Sequence, residues 1–319
     1  MNGLTDIEGV RVGHASDFEA LTGCTVVLCE AGAVGGAEVL GSASGTQEVP
    51  TLEPGHVAGR VHAVVLAGGS AFGLEAASGV RRYLERKGIG FETGAARVPI
   101  VPSAILYDLG IGKANVRPNR EMGEAAAAAA TAEAVREGAV GAGAGATVGK
   151  LFGMGQAMKS GAGSATVTLE GGYAGVRVAA LVVVNAFGDV IDPETGKIVA
   201  GARSAPDSRE FADTARQMKA ARRGGFRREN TTLVVVATNA RLSKVEARKL
   251  AQLASIGMAR TIRPVFTIYD GDVVFALSLG HETADINALG VAAADAVSQS
   301  ILRAVRLAPT RGGIPGLAG

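Results

Sequence analysis

Glycine is the feature that most limits how this chain can fold. The chain contains 46 glycines among 319 residues, about twice the usual share of roughly 7%. They follow no collagen-like period and fall between apolar segments, where glycine permits tight turns and close backbone approach. Aromatic residues make up only 4% and tryptophan is absent, so alanine, valine, leucine and glycine must fill the core. Small residues of this kind favour sheets and helices that stack closely.

The bulk composition indicates a folded protein with no general affinity for nucleic acid or membranes. Hydrophobic residues make up 47%, and 32 basic side chains nearly balance 30 acidic ones. No run of about 18 apolar residues predicts a membrane span, and the first residues lack a cationic segment followed by an apolar one. Cys24 and Cys29 are five apart in a strand-like run and would face opposite sides. We expect buried thiols and a cytoplasmic location.

Hydrophobic patterning predicts alternating strands and helices without a strict βαβ period. Short apolar, β-branched runs predict strands at residues 25–29, 62–67, 165–169, 176–184, 232–237, 265–269 and 273–279. Helices are predicted at residues 71–87, 119–137, 207–221, 243–259 and 282–305. Asn119 is a candidate N-cap, and Ser243 with Glu246 forms a capping box. The charged segment 222–229 is expected to be exposed and the tail after Pro309 to be loose. The class is α/β or α+β, with layered sheets between helices.

Familiar nucleotide and serine-hydrolase motifs are incomplete. Residues 68–73 read Gly-Gly-Ser-Ala-Phe-Gly and miss the G-x-S-x-G elbow by one position, and the four histidines offer no obvious partner. This segment is interpreted as a tight turn or a pocket wall. The glycine-rich loop 141–146 follows a helix instead of a strand, and Leu151 replaces the Ser or Thr of a P-loop. No cofactor is predicted, and Lys150 alone reads as a loop lysine.

Asp270-Gly271-Asp272 has two interpretations. Asp-Gly is a strong hairpin signal between the strands predicted on either side. The two carboxylates could also form half of a metal site, but no His or Glu cluster supports one, so no metal is predicted.

The junction of Asn230 and Thr231 is the strongest candidate for chemistry. A charged segment containing a glycine pair meets a buried strand there. If the chain were cut before Thr231, that residue would carry a free α-amine, which can act as general base for its own hydroxyl. No catalytic histidine would then be needed. The alternative is an ordinary strand start, where threonine is common.

Six short motifs, in order, resemble a known peptidase family. They are Leu66-Ala-Gly-Gly-Ser70 with Gly73-Leu-Glu-Ala76, Ser103-Ala-Ile-Leu-Tyr107-Asp108, Gly145-Ala-Thr-Val-Gly-Lys150, Val183-Val-Asn185, Asn230-Thr231-Thr232 and Asp270-Gly-Asp272. The chain resembles the family of L-aminopeptidase/D-esterase, β-peptidyl aminopeptidases and nylon-oligomer (6-aminohexanoate) hydrolases, almost from end to end. Thr231 looks more like the nylon-oligomer branch, because many other members have serine at this position. Asp270 and Asp272 also match that branch, because the aminopeptidase branch has serine and glutamate in their places.

The resemblance implies a four-layer αββα sandwich made by autoproteolysis, here a single domain that splits into residues 1–230 and 231–319. Thr231 would be the nucleophile. Lys150 would favour its alkoxide, and Asn185 would donate to the oxyanion. Further roles are implied for Tyr107 at the oxyanion or leaving group, for Asp270 and Asp272 at the Thr231 amine or a substrate amine, and for Gly69 and Ser70 in substrate binding. Family members assemble as tetramers or related oligomers.

Three functions are compatible with these residues. The first is an N-terminal-threonine amidase that acts on short peptides or ω-amino-acid oligomers. The second is an acyltransferase similar to ornithine acetyltransferase, which would pass the acyl group to an amine. The third is a non-catalytic scaffold, which would have no need of Lys150, Asn185, Thr231 and the two aspartates together.

Overall fold

A computed structural model of the chain describes residues 2–220 and 230–318. Within them the strands are β1 (Arg11–Asp17), β2 (Thr22–Val39), β3 (Gly45–Gln47), β4 (Val61–Ala67), β5 (Phe91–Glu92), β6 (Arg97–Val98), β7 (Ser103–Ile105), β8 (Thr147–Val148), β9 (Met158–Lys159), β10 (Ala162–Thr168), β11 (Arg177–Asn185), β12 (Asp189–Ile191), β13 (Ile198–Ala200), β14 (Thr231–Ala240), β15 (Ile262–Arg263) and β16 (Val273–Glu282). The α-helices are α1 (Ala76–Arg86), α2 (Arg120–Ala128), α3 (Thr214–Lys219), α4 (Lys244–Thr261) and α5 (Ile286–Arg306).

The long strand β2 joins two sheets. Its first half pairs with β1 and β4, and β4 continues to β7 and β3. Its second half pairs with β16, which continues to β14, β11 and β10. The pairing register of β2 with β4 shifts between Leu28 and Ala33, where Gly32 adopts a positive φ of 84°. Because glycine tolerates this conformation, β2 can change direction there and serve both sheets.

Alternation along the strands produces three apolar layers. In β14, Leu233 and Val235 face the space between the sheets, where they pack with Val64 and Leu66 of β4. Val234 and Val236, which point the other way, pack under α4 and α5. The outer face of the first sheet packs against α1 and α2. The four-layer αββα arrangement expected from the resemblance is therefore confirmed.

The two cysteines follow the same alternation. Cys24 lies in the layer under α1 and α2, whereas Cys29 lies between the sheets. Both are fully buried and free, as the sequence predicts. Burial raises the pKa of each thiol to about 12.

Local helix signals are confirmed where side chains cap backbone donors. Asn119 accepts from the backbone N–H of Met122 (3.0 Å) at the start of α2. Ser243 and Glu246 form the predicted capping box of α4. Helix α5 has the length and apolar character of a membrane span, but 67% of its apolar window is buried inside the protein, as in a core helix.

Five boundary predictions are wrong because tertiary contacts override local preference. Residues 70–75 form a 3₁₀ helix before α1 begins. Helix α2 ends at Ala128 instead of 137, because Thr131 exchanges backbone hydrogen bonds with Val12 of β1 (2.9 and 3.1 Å). Helix α3 covers only Thr214–Lys219 of the predicted 207–221. Helix α5 begins at Ile286, capped by Asp285, because residue 282 still belongs to β16. The tail is not loose, because Pro315 accepts from Lys159 N–H (2.8 Å) and Ala318 donates to Ala308 (3.0 Å).

The predicted strand at 265–269 and the hairpin reading of Asp270-Gly271-Asp272 are also wrong. The chain forms a turn in which the Asp270 carboxylate accepts from the backbone N–H (3.2 Å) and hydroxyl (2.5 Å) of Thr267. It then enters β16, which runs parallel to β14. The charged segment 222–229 and residue 221 lie outside the described residues.

Candidate active site

The Asn230–Thr231 junction lies at the start of β14, in the middle of the second sheet. Both residues are 2% exposed. Thr231 lies opposite Asn185 of β11, and Asn230 forms a parallel bridge with Asp270. The Thr231 hydroxyl donates to the Asn230 carbonyl oxygen at 2.5 Å. The hydroxyl and the carbonyl of the predicted scissile bond are therefore held together by the sheet.

Gly271 hydrogen-bonds to the Asn230 carbonyl and packs close to the Thr231 hydroxyl. Its backbone N–H donates to the Asn230 carbonyl oxygen at 2.8 Å. A Cβ at this position would lie 2.8 Å from the Thr231 hydroxyl and 2.6 Å from the Ala43 carbonyl oxygen, so only glycine fits. A backbone N–H aimed at a carbonyl stabilises the negative charge that develops when the carbonyl is attacked.

Asp270 and Asp272 are fixed by backbone donors. One oxygen of Asp272 accepts from Thr232 N–H (2.6 Å) and the other from Phe266 N–H (3.2 Å). Asp270 accepts from Phe187 N–H (3.1 Å) in addition to its contacts with Thr267. Burial, and then the neighbouring Asp270 carboxylate, raise the pKa of Asp272 to about 8. Burial also raises the pKa of Asp270. The pair can therefore hold a proton or accept an amine near neutral pH.

Lys150 and Asn185 form the second half of the site. The Lys150 ammonium donates to the side-chain oxygen (2.7 Å) and the carbonyl oxygen (2.8 Å) of Asn185. That side-chain oxygen also accepts from Thr147 N–H (3.0 Å), and the amide nitrogen donates to the Tyr107 carbonyl (2.9 Å). These contacts fix the orientation of the Asn185 amide. Lys150 is therefore bound to Asn185, the residue paired with Thr231 across β11 and β14.

A cavity of about 250 Å³ opens beside this network. Its wall combines polar and apolar groups: Tyr107, Asp108, Gly110, Ile111, Gly145, Thr147, Lys150, Gly153, Met154 and Asn230. Three of the sequence-predicted residues, Tyr107, Lys150 and Asn230, line it directly. The cavity reaches the Asn230–Thr231 junction from the Asn230 side.

The structure places Gly69 and Ser70 behind the cavity wall. Gly69 N–H donates to the Asp108 carboxylate at 2.7 Å, and Ser70 N–H donates to the Leu106 carbonyl at 2.9 Å. Within the described chain, neither residue belongs to the cavity lining. Gly69 therefore contacts the cavity wall through Asp108, whereas the Ser70 N–H bonds to Leu106, which is not a lining residue.

Three residues of the site carry no role in the sequence reading: Gly271, Thr147 and Asp108. Each lies within one of the six motifs quoted from the sequence, but the sequence assigned it no function. Asp108 is 4% exposed and also accepts from the Thr22 hydroxyl (2.7 Å). Burial raises its pKa to about 6. Among residues 2–220 and 230–318, no group of three or more His, Cys, Asp or Glu side chains could hold a metal.

Comparison with solved structures identifies the fold. The chain superposes on the L-aminopeptidase D-Ala-esterase/amidase from Ochrobactrum anthropi, described as a variant of the Ntn hydrolase fold, with a TM-score of 0.74. The two are 20% identical, and the match covers 96% of this chain and 86% of the other. The chain therefore shares the fold of this neighbour.

The family follows from the sequence comparison. The model of peptidase family S58 matches residues 2–317, and the chain belongs to this family. An uncharacterized aminopeptidase of Mycobacterium tuberculosis is 40% identical, with 99% of this chain and 96% of the relative covered. The 6-aminohexanoate-oligomer endohydrolase of Kocuria sp. is 32% identical, with 94% and 85% covered. The protein is therefore an amide hydrolase by family, which counts against the non-catalytic scaffold.

Proposed function

We propose that the chain cuts itself between Asn230 and Thr231 and then uses Thr231 as an N-terminal nucleophile against amide bonds in short peptides or ω-amino-acid oligomers of the 6-aminohexanoate type. The observation that carries this proposal is the contact of the Asn230 carbonyl oxygen with both the Thr231 hydroxyl (2.5 Å) and Gly271 N–H (2.8 Å). A nucleophile and an oxyanion donor on one peptide bond are what self-cleavage requires.

The self-cleavage step begins when the Thr231 oxygen attacks the Asn230 carbonyl carbon. Negative charge on the carbonyl oxygen is stabilised by Gly271 N–H. The C–N bond then breaks and the nitrogen takes the proton that the Thr231 hydroxyl releases, which gives an ester and a free α-amine. Water hydrolyses the ester, releases the Asn230 carboxylate and restores the Thr231 hydroxyl.

Substrate hydrolysis would use the same groups. The Thr231 α-amine takes the proton of its hydroxyl, so nucleophile and base belong to one residue. Asn185 lies opposite Thr231 and donates to the oxyanion, while the Lys150 ammonium beside it favours the alkoxide. Asp270 and Asp272 hold the Thr231 amine, and Tyr107 in the cavity wall contacts the oxyanion or the leaving group.

The mixed cavity wall supports a linear amide substrate. Ile111 and Met154 offer apolar surface to a methylene chain, whereas Thr147 and Lys150 offer polar contacts to amide groups. A relative 32% identical to this chain is a 6-aminohexanoate-oligomer endohydrolase. We therefore place ω-amino-acid oligomers and short peptides ahead of large proteins as substrates.

The test compares the wild type with Thr231→Ala and Thr231→Ser on linear 6-aminohexanoate oligomers and short α- and β-peptide amides. Thr231→Ala should stay one chain and hydrolyse none of them, whereas Thr231→Ser keeps a hydroxyl and should retain cutting and activity. Products are analysed with and without an added amine acceptor. Acyl transfer that dominates over hydrolysis would favour the acyltransferase function, and an active Thr231→Ala variant would refute the nucleophile.

We also propose a cytoplasmic location and a homo-oligomeric assembly. Two buried, free thiols are consistent with a reducing compartment. The assembly rests on the family resemblance, and sedimentation of the purified protein would test a tetramer.

A further inference from the structure

Lys159 is a fully buried lysine that the proposed mechanism does not use. Its side chain is 0% exposed. The ammonium donates to the carbonyl oxygens of Ala146 (2.7 Å), Ser160 (2.8 Å) and Gly143 (3.3 Å). An ammonium has three N–H donors, so these carbonyls account for all of them. Within the described residues, no carboxylate lies within salt-bridge distance of it.

The carbonyls that Lys159 holds belong to the backbone that leads into the active site. Gly143 and Ala146 lie in the glycine-rich loop 141–146, which continues directly into β8. Lys159 is also the strand partner of Thr147 across β8 and β9. Thr147 N–H donates to the Asn185 side chain, and the hairpin then carries Lys150 to the same side chain.

The glycine-rich loop is confined from its other side by Asp108. A Cβ at Gly145 would lie 2.6 Å from the Asp108 Cβ and 2.2 Å from the Leu21 carbonyl oxygen. The loop therefore fits only because its residues are small. Its glycines allow the loop to pack closely between Asp108 and Lys159. This packing explains why the loop is rich in glycine although it is not a nucleotide-binding motif.

We propose that Lys159 is a positioning residue of the amide-cleaving site. Its ammonium fixes the loop 141–146 and, through Thr147, the geometry of the Asn185–Lys150 pair. Lys159 does not line the cavity among the described residues, so it acts through these residues and not on the substrate. The inference rests on the proposed function, because it takes Asn185 and Lys150 as the groups that act on the substrate.

The protonation of Lys159 gives this role a pH dependence. Burial is the main cause that lowers the pKa of Lys159 to about 7; the charges of Arg311 and Lys150 lower it further, and Asp108 opposes the shift. The neutral amine has only two N–H donors for three carbonyls. The loop should therefore be held less firmly as pH rises through about 7.

The test is Lys159→Met in the full-length chain, with exposed Lys249→Met and buried Ser300→Ala as controls. A misplacement of about 1 Å at catalytic groups costs roughly 10²-fold in rate. We expect Lys159→Met to lower kcat by about 10–100-fold, with KM changed less than about 3-fold. The wild-type decline of kcat above about pH 7 should be absent from this variant. Both controls should behave like the wild type.

Lys159→Gln covers the case in which Lys159→Met does not fold, because its side-chain amide keeps two N–H donors. A reduced kcat with near-normal KM would support the proposal. Wild-type kcat in either soluble variant would overturn it, as would an equal loss of kcat in Ser300→Ala. If Thr231→Ala is uncut and inactive while the Lys159 variants are normal, only this inference fails. An active Thr231→Ala would instead refute the proposed function.

Discussion

Gly271 is packed so closely against the Thr231 hydroxyl that no other residue fits in its place. Its N–H and the hydroxyl converge on one carbonyl oxygen, and the backbone of Leu40 and Gly41 holds the adjacent Asp272 carbonyl from the other side (2.9 and 3.2 Å). A single methyl group would disturb the proposed nucleophile and its proposed oxyanion donor together. The site therefore depends on a residue that has no side chain.

Gly271→Ala should slow self-cleavage by roughly 10²-fold, the usual cost of displacing reacting groups by about 1 Å. The added Cβ would stand 2.8 Å from the Thr231 hydroxyl, so the nucleophile and the carbonyl must separate. The rate is measured from the uncut fraction on denaturing gels over time. Gly59→Ala is the matched control, because nothing lies within 4 Å of a Cβ there. Equal rates in the two variants would contradict the assignment.

Helices α1 and α2 cross with their backbones in contact. A Cβ at Gly79 of α1 would lie 1.8 Å from the Arg120 carbonyl oxygen, and one at Gly123 of α2 would lie 1.9 Å from that of Ala76. The two glycines thus set the distance between the helices. At this interface, the need for close helix contact accounts for small residues in the sequence.

Gly79→Ala should destabilise the protein, although glycine to alanine inside a helix ordinarily stabilises by about 1 kcal/mol. The clash is with backbone, which cannot move aside without separating the helices. Overpacking of this kind typically costs about 1–3 kcal/mol. Urea unfolding of the uncut Thr231→Ala chain measures the effect, with Ser78→Ala on the same helix as control. A stabilised Gly79→Ala would show that the helices do not touch.

The elements most accurately predicted from sequence are those with local causes. The buried strand at 232–237 and the capping box of Ser243 depend on neighbouring residues, and both are confirmed. The end of α2 depends on the pairing of Thr131 with Val12, more than one hundred residues earlier. The alanine run at residues 125–130 favours a continuing helix and contains no signal for pairing with a distant strand.

The candidate site shows the same limit at the scale of the whole molecule. The physics of the sequence marks the Asn230–Thr231 junction, but only resemblance to the family assembles Lys150, Asn185 and the aspartates around it. Gly271 gains its proposed role from a carbonyl about forty residues away, and Lys159 from a loop whose glycines match a nucleotide-binding motif only in part. Tertiary structure alone brings these groups together.

The buried acid Asp272 should make the uncut protein less stable as pH rises. Its pKa of about 8 in the folded chain lies above the unfolded value of 3.8, so its contribution is complete below about pH 4 and lost as pH rises through 8. Each pKa unit corresponds to about 1.4 kcal/mol. Unfolding of Thr231→Ala by urea at pH 5 and pH 8 should show a larger decrease than unfolding of Thr231→Ala with Asp272→Asn. Parallel decreases would assign the effect to other groups.

Self-cleavage is the central claim, and intact-mass analysis of the purified wild-type protein after incubation tests it most directly. We predict two fragments, residues 1–230 and 231–319, with Thr231 as a free N-terminus and no fragments from Thr231→Ala. A wild-type chain that hydrolyses amides while it remains a single uncut polypeptide would contradict the account.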